Sequence, residues 1–156
     1  NLSTTAGTGH GCSMAWYGTA SSSDNGTLYL AKATNDVLAS GTAASVRLYK
    51  STDNGSSFSL AANQSLATAI TNQFATNLAV DIALDGSDVV VAVRSTAAIE
   101  VFKYTSSSGS IETLTRSTAS VALDETPLSV AVNGDVYAVG YFTTGGAPKT
   151  DIFYDQ

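Results

Sequence analysis

Three segments of the chain repeat one pattern: a short β-prone run, an Asx-Gly pair, and a second β-prone run. The first is Met14-Ala15-Trp16-Tyr17, then Asn25-Gly26, then Leu28-Tyr29-Leu30-Ala31. The second is Val80-Asp81-Ile82-Ala83, then Asp85-Gly86, then Val89-Val90-Val91-Ala92-Val93. The third is Leu128-Ser129-Val130-Ala131-Val132, then Asn133-Gly134, then Val136-Tyr137-Ala138-Val139. Asn-Gly or Asp-Gly between β-branched or aromatic runs is a hairpin signal, because these residues accept the positive φ of tight turns. Each hairpin leads, through a Ser/Thr/Gly-rich connection, to a third strand: Val46-Arg47-Leu48-Tyr49, Val101-Phe102-Lys103-Tyr104 and Asp151-Ile152-Phe153-Tyr154. Tyr49, Tyr104 and Tyr154 align at a period of about fifty residues, which is the length of a small repeated β unit. A chain built this way is all-β and antiparallel.

Between the first unit's third strand and the apolar run Phe58-Ser59-Leu60-Ala61 lies Ser51-Thr52-Asp53-Asn54-Gly55-Ser56-Ser57. The Asp53 carboxylate is placed to accept backbone N–H groups of its own turn, with Phe58 packed beneath it. Ser106-Ser107-Ser108-Gly109-Ser110 after Tyr104 is a shorter turn of this kind without the Asp, leading to a fourth strand Ile111-Glu112-Thr113-Leu114.

The pattern of Ser51, Asp53, Gly55 and Phe58 resembles the Asp-box of the sialidase-type (BNR repeat) β-propellers. In that family the box pins the turn between the third and fourth strands of a blade, and its role is structural. This chain carries one well-formed box, with Phe58 where Trp is usual. The resemblance implies three antiparallel propeller-like blades, forming a partial propeller or the protomer of an oligomeric one. Unit 1 then spans residues 9–63, an insertion or short helix 64–77, unit 2 residues 78–116 and an incomplete unit 3 residues 117–156. The insertion reading rests on Leu66, Ala69, Ile70 and Phe74, whose spacing is close to helical.

Composition narrows the partners. The 156 residues suffice for one domain with a real core. Only 13% are charged and the net charge is −6, with a pI near 4.4. Seven scattered basic residues make no phosphate-binding patch, so a nucleic-acid partner is not expected. No run approaches the ~20 apolar residues of a membrane helix, and no signal peptide is seen. The Ser/Thr/Gly-rich, weakly charged balance points to an extracellular or cell- or virion-surface protein. Cys12 is the only cysteine, so no internal disulfide forms. Asn1, Asn25, Asn54 and Asn63 head Asn-x-Ser/Thr sequons, which permit glycosylation.

The resemblance also invites an enzymatic reading. Sialidase-like hydrolases use three arginines on a carboxylate, a Tyr/Glu nucleophile pair and an Asp acid. Arg47, Arg94 and Arg116 number three, yet none lies in the family's arginine motif, and they read as solvated strand residues. Glu100, Glu112 and Glu125 form no local carboxylate pair of the glycosidase kind. His10-Gly11-Cys12 offers too few ligands for zinc, and no cofactor or metal is expected; it reads as a flexible lead into the first strand. Asp85-Gly86-Ser87-Asp88 reads as a plain hairpin turn more than a piece of a calcium loop. Trp16, Tyr17 and Tyr141 are the candidate ligand or interface aromatics. The expected function is a non-catalytic module, either an assembly subunit or a carbohydrate- or protein-binding domain; the alternative is a fragment or subunit of a sialidase-like glycoside hydrolase.

The third unit runs out after its third strand, leaving the edge of Asp151 to Tyr154 open. A neighbouring chain is expected to cover it, with residues Asn1 to Thr8 or another polypeptide supplying the strand. Two copies would make a six-bladed ring, and an open head-to-tail contact a filament.

Overall fold

The run Val89-Val90-Val91-Ala92-Val93 is apolar on both faces, so it needs cover on both sides. The computed structural model, which describes residues 9–18, 26–34, 44–66, 80–94, 98–117, 128–143 and 146–154, shows how that cover is supplied. All described secondary structure is β. The first sheet has the order β1 (Gly9–Tyr17), β2 (Thr27–Thr34), β3 (Ser45–Ser51), β4 (Ser59–Ser65). The second runs β5 (Val80–Asp85), β6 (Asp88–Arg94), β7 (Ile99–Thr105), β8 (Ser110–Ser117). The third has three strands, β9 (Ser129–Asn133), β10 (Val136–Phe142) and β11 (Pro148–Tyr154), with β10 in the middle. Every pairing is antiparallel between consecutive strands, and each sheet is open.

The three sheets stack face to face in chain order, because two separate cores flank the second. Alternation along each strand divides the residues between them. Val89, Val91, Val93, Phe102 and Tyr104 meet Tyr29, Ala31, Ala33, Val46 and Leu48 of the first sheet. Val90, Ala92, Ile99 and Val101 meet Val130, Tyr137, Val139 and Tyr141 of the third. Tyr29 and Tyr104 meet edge to face at 6.1 Å, an offset geometry favoured by their ring quadrupoles. The first strands gather on one side of the stack, β1 against β5 and β5 against β9.

Several local expectations shift by a residue or two. In the second and third hairpins the strands close at Asp85–Asp88 and Asn133–Val136, so the central pairs are Gly86-Ser87 and Gly134-Asp135. Gly86 and Gly134, with φ of 58° and 57°, occupy the first central position, as in a type II′ turn. Matching these two hairpins aligns Tyr104, opposite Val89, with Phe153, opposite Tyr137; it does not align Tyr104 with Tyr154. One residue of slip reverses the face: Tyr104 is 4% exposed and Tyr154 68%. Gly9 to Cys12 is strand, not a flexible lead-in, with an irregularity of register in that stretch. Gln64 and Ser65 belong to β4, and the Leu66 N–H donates to the Ala44 carbonyl at 3.0 Å, so the insertion cannot begin at 64. Its remainder, residues 67–77, lies outside the described residues, as do Asn1 to Thr8, Asn25, Glu125 and the Arg116 side chain.

Candidate functional site

The turn from β3 to β4 is organised by two short side chains. Ser51 Oγ donates to Asp53 Oδ1 at 2.7 Å and accepts from the Gly55 N–H at 2.9 Å. Asp53 Oδ1 also accepts the Ser57 N–H at 2.9 Å, and Oδ2 accepts the Ser57 hydroxyl at 2.5 Å. Asn54 and Gly55 take φ of 56° and 85°, which turns the backbone around the carboxylate. These bonds favour the charged form: the Ser57 hydroxyl first, then Ser51 and the Ser57 N–H, hold the Asp53 carboxyl at about 2. The residue that the sequence places beneath the turn, Phe58, is half-buried and belongs to neither core.

The second unit solves the same problem with a borrowed acid. Its turn, Ser106 to Gly109, lacks an Asp, and Asp88 at the start of β6 supplies one. Asp88 Oδ1 accepts the Ser106 N–H at 2.9 Å, while the Ser106 and Ser87 hydroxyls meet at 3.1 Å. The Asp85-Gly86-Ser87-Asp88 segment is therefore a hairpin fastened to the neighbouring turn. Among the described residues no three His, Cys, Asp or Glu side chains cluster in a way that could hold a metal.

One carboxylate joins all three sheets. Asp81, on β5, accepts the Ser13 hydroxyl of β1 at 2.9 Å on Oδ1 and the Val130 N–H of β9 at 2.9 Å on Oδ2. Nothing local in the sequence marks this residue; both its partners are remote in the chain. Lys103 makes a second tie across the second core. Its Nζ donates to the Tyr137 hydroxyl at 3.2 Å, lies 5.9 Å from that ring centroid and pairs with Asp85 at 3.6 Å.

The arginines are not solvated. Arg94 is 1% exposed and Arg47 is buried as well, as is Glu100. Long charged side chains end up inside because both faces of the second sheet are covered and the first sheet is covered around β3. The arginines do not meet: Arg94 lies on the third-sheet side of β6, whereas Arg47 lies on the face of the first sheet turned away from the second. The first core separates them. Glu100 is on the first-sheet side of β7, with Val93 and Arg116 as its register partners.

The three singled-out aromatics have different surroundings. Tyr141 is buried, and its hydroxyl donates to Asp151 Oδ2 at 2.7 Å. Burial pushes its phenol up, the Lys149 hydrogen bond opposes that rise, and the Asp151 contact adds to it. Trp16 and Tyr17 are 43% and 45% exposed and point to opposite faces of β1, Trp16 away from the second sheet. The Trp16 indole lies over Gly26 and Gly18, where a Cβ on Gly26 would run into the ring. Beside it a row of apolar residues crosses the first sheet, Met14 to Leu30 to Tyr49 to Leu60. Cys12 is exposed on the same strand. No family model, curated protein or solved structure matches the chain, so the geometry alone carries the functional reading.

Proposed function

We propose that the chain is a non-catalytic module of the Asp-box β-propeller type, serving as an assembly subunit on or outside a cell or virion. The observation that carries this reading is the stack itself. Three antiparallel sheets lie face to face with their first strands gathered on one side and joined through Asp81, as blades gather around an axis. The box at Ser51 to Phe58 stands at the turn between third and fourth strands, where blades of that family carry it. A weakly charged, acidic surface fits an extracellular setting. The separation of Arg47 from Arg94 by a core disfavours the hydrolase alternative.

The test pairs mass with chemistry. Light scattering is expected to give a mass above the single-chain 15.9 kDa, and fluorogenic sialosides and other glycosides are expected to stay intact. Sustained turnover by the homogeneous folded chain would overturn the reading. Carbohydrate binding is the second reading, favoured by the exposed Trp16 indole, since aromatic faces stack on sugar rings. A glycan array signal lost in Trp16→Ala would put it first.

A further inference from the structure

The sheets have two unlike faces, and the difference repeats. The face turned toward the preceding sheet carries bulk on its second strand: Val89, Val91 and Val93 in the second sheet, Tyr137, Val139 and Tyr141 in the third. The face turned toward the following sheet is small along its first two strands. In the first sheet these residues are Ala15, Ala31 and Ala33, and in the second Ala83 and Ala92. Bulk from one sheet thus seats on small residues of the one before it, which closes the packing.

The two free faces continue this rule. The outer face of the first sheet is the bulky kind, with Met14, Leu30, Tyr49 and Leu60 in one row and Trp16 and Leu28 in the next. The outer face of the third sheet is the small kind. Its middle row is Ala131, Ala138 and Ile152, followed by Ser129, Gly140 and Thr150, with Val136 and Tyr154 at the rim. Met14, Trp16, Leu60, Val136, Ile152 and Tyr154 are all exposed. Exposed apolar faces of this extent mark contact surfaces.

A polar position follows the same rule. Ser13, Asp81 and Ser129 are register equivalents, paired with Ala31, Ala92 and Gly140 on the second strands. Ser13 bonds to the first strand of the second sheet, and Asp81 to the first strand of the third. Ser129 stands exposed at the corresponding place, facing no sheet of its own chain.

We infer that the outer face of the third sheet is a docking surface for the outer face of the first sheet of a second copy of this chain, head to tail. The inference rests on the assembly reading and names its contact. Bulk on one face and small residues on the other make the two complementary to each other and not to themselves. Two first-sheet faces would set Met14 and Leu60 against their own kind.

The test uses two substitutions at exposed positions, one on each face: Met14→Glu and Ile152→Lys, each side chain being 57% exposed in the single chain. Both variants are expected to fold, as read by far-ultraviolet circular dichroism and a cooperative melt. The wild-type chain is expected to associate with concentration over about 0.1–100 μM, the range that reports micromolar affinity. Trp16, the only tryptophan, should shift its emission to shorter wavelength as it does so. Each variant alone should associate at least about tenfold more weakly, since each places a charge in a desolvated contact. Mixed one to one, they should form a heterodimer and nothing larger, because one good face of each kind remains. Homodimers of Ile152→Lys would reveal a contact between like faces and overturn the inference. Assembly surviving both substitutions would overturn it while keeping the assembly function, and a folded wild-type monomer would overturn both.

Discussion

Asp53 and Asp81 are both short carboxylates holding chain together, but they act over different distances. Asp53 works within its own turn, and its carboxyl is held near 2, below the usual 3.8. A depressed folded value stabilises above the unfolded pKa, and the contribution is lost as pH falls from about 4 through 2. The turn is exposed, so solvent screens the effect. Asp53→Ala is expected to lower Tm by about 2–4 °C at neutral pH, and by less at pH 2, when melts of the two chains are compared. Asp81→Ala should cost more, about 2–3 kcal/mol in a denaturant titration, because it strands the Val130 N–H and the Ser13 hydroxyl together. The Ser51 to Ser57 loop was legible in the sequence because every bond in it spans four residues or fewer. Asp81 was not, since its partners lie 68 and 49 positions away. The burial of Arg47, Arg94 and Glu100 was hidden for a related reason: charge predicts exposure until neighbouring sheets are placed.

At the level of strands, a two-residue period and Asx-Gly pairs located nearly every hairpin before the coordinates did. They could not fix register, because the same letters allow a turn centred on Asp-Gly or one residue later. The later centring puts Gly134 at φ 57°, where a side chain is strained. Gly134→Ala should therefore destabilise the chain by about 1 kcal/mol, whereas Asp135→Ala in the same turn should be nearly neutral. Equal melts for the two would show the turn to be centred elsewhere. The irregularities between Leu48 and Tyr49 and between Val101 and Phe102 fall at matching places in β3 and β7. No residue type signals them; two extra residues in the partner strands create them.

Over the whole molecule, the second sheet alone has both faces covered, while the outer two are apolar on both faces and covered on one. Amide exchange is expected to be slowest in β6 and β7 and faster in β10 and β11; uniform protection across the three sheets would contradict that gradient. The stack was legible only as a series of units, since period two says which residues share a face and not which sheet that face meets. A consequence follows from the order of strands within each sheet. Every strand pairs with its neighbours in sequence, so each sheet closes through local contacts at small entropic cost. The outer sheets, by contrast, have little to bury until the second exists. The second sheet is thus the template on which folding proceeds. Phe102→Leu, within it, should slow refolding, and Val139→Ala, on the third sheet, should chiefly hasten unfolding. Freed from the template at the end of a pull or a partial melt, the third sheet should be the first to leave and the first to return.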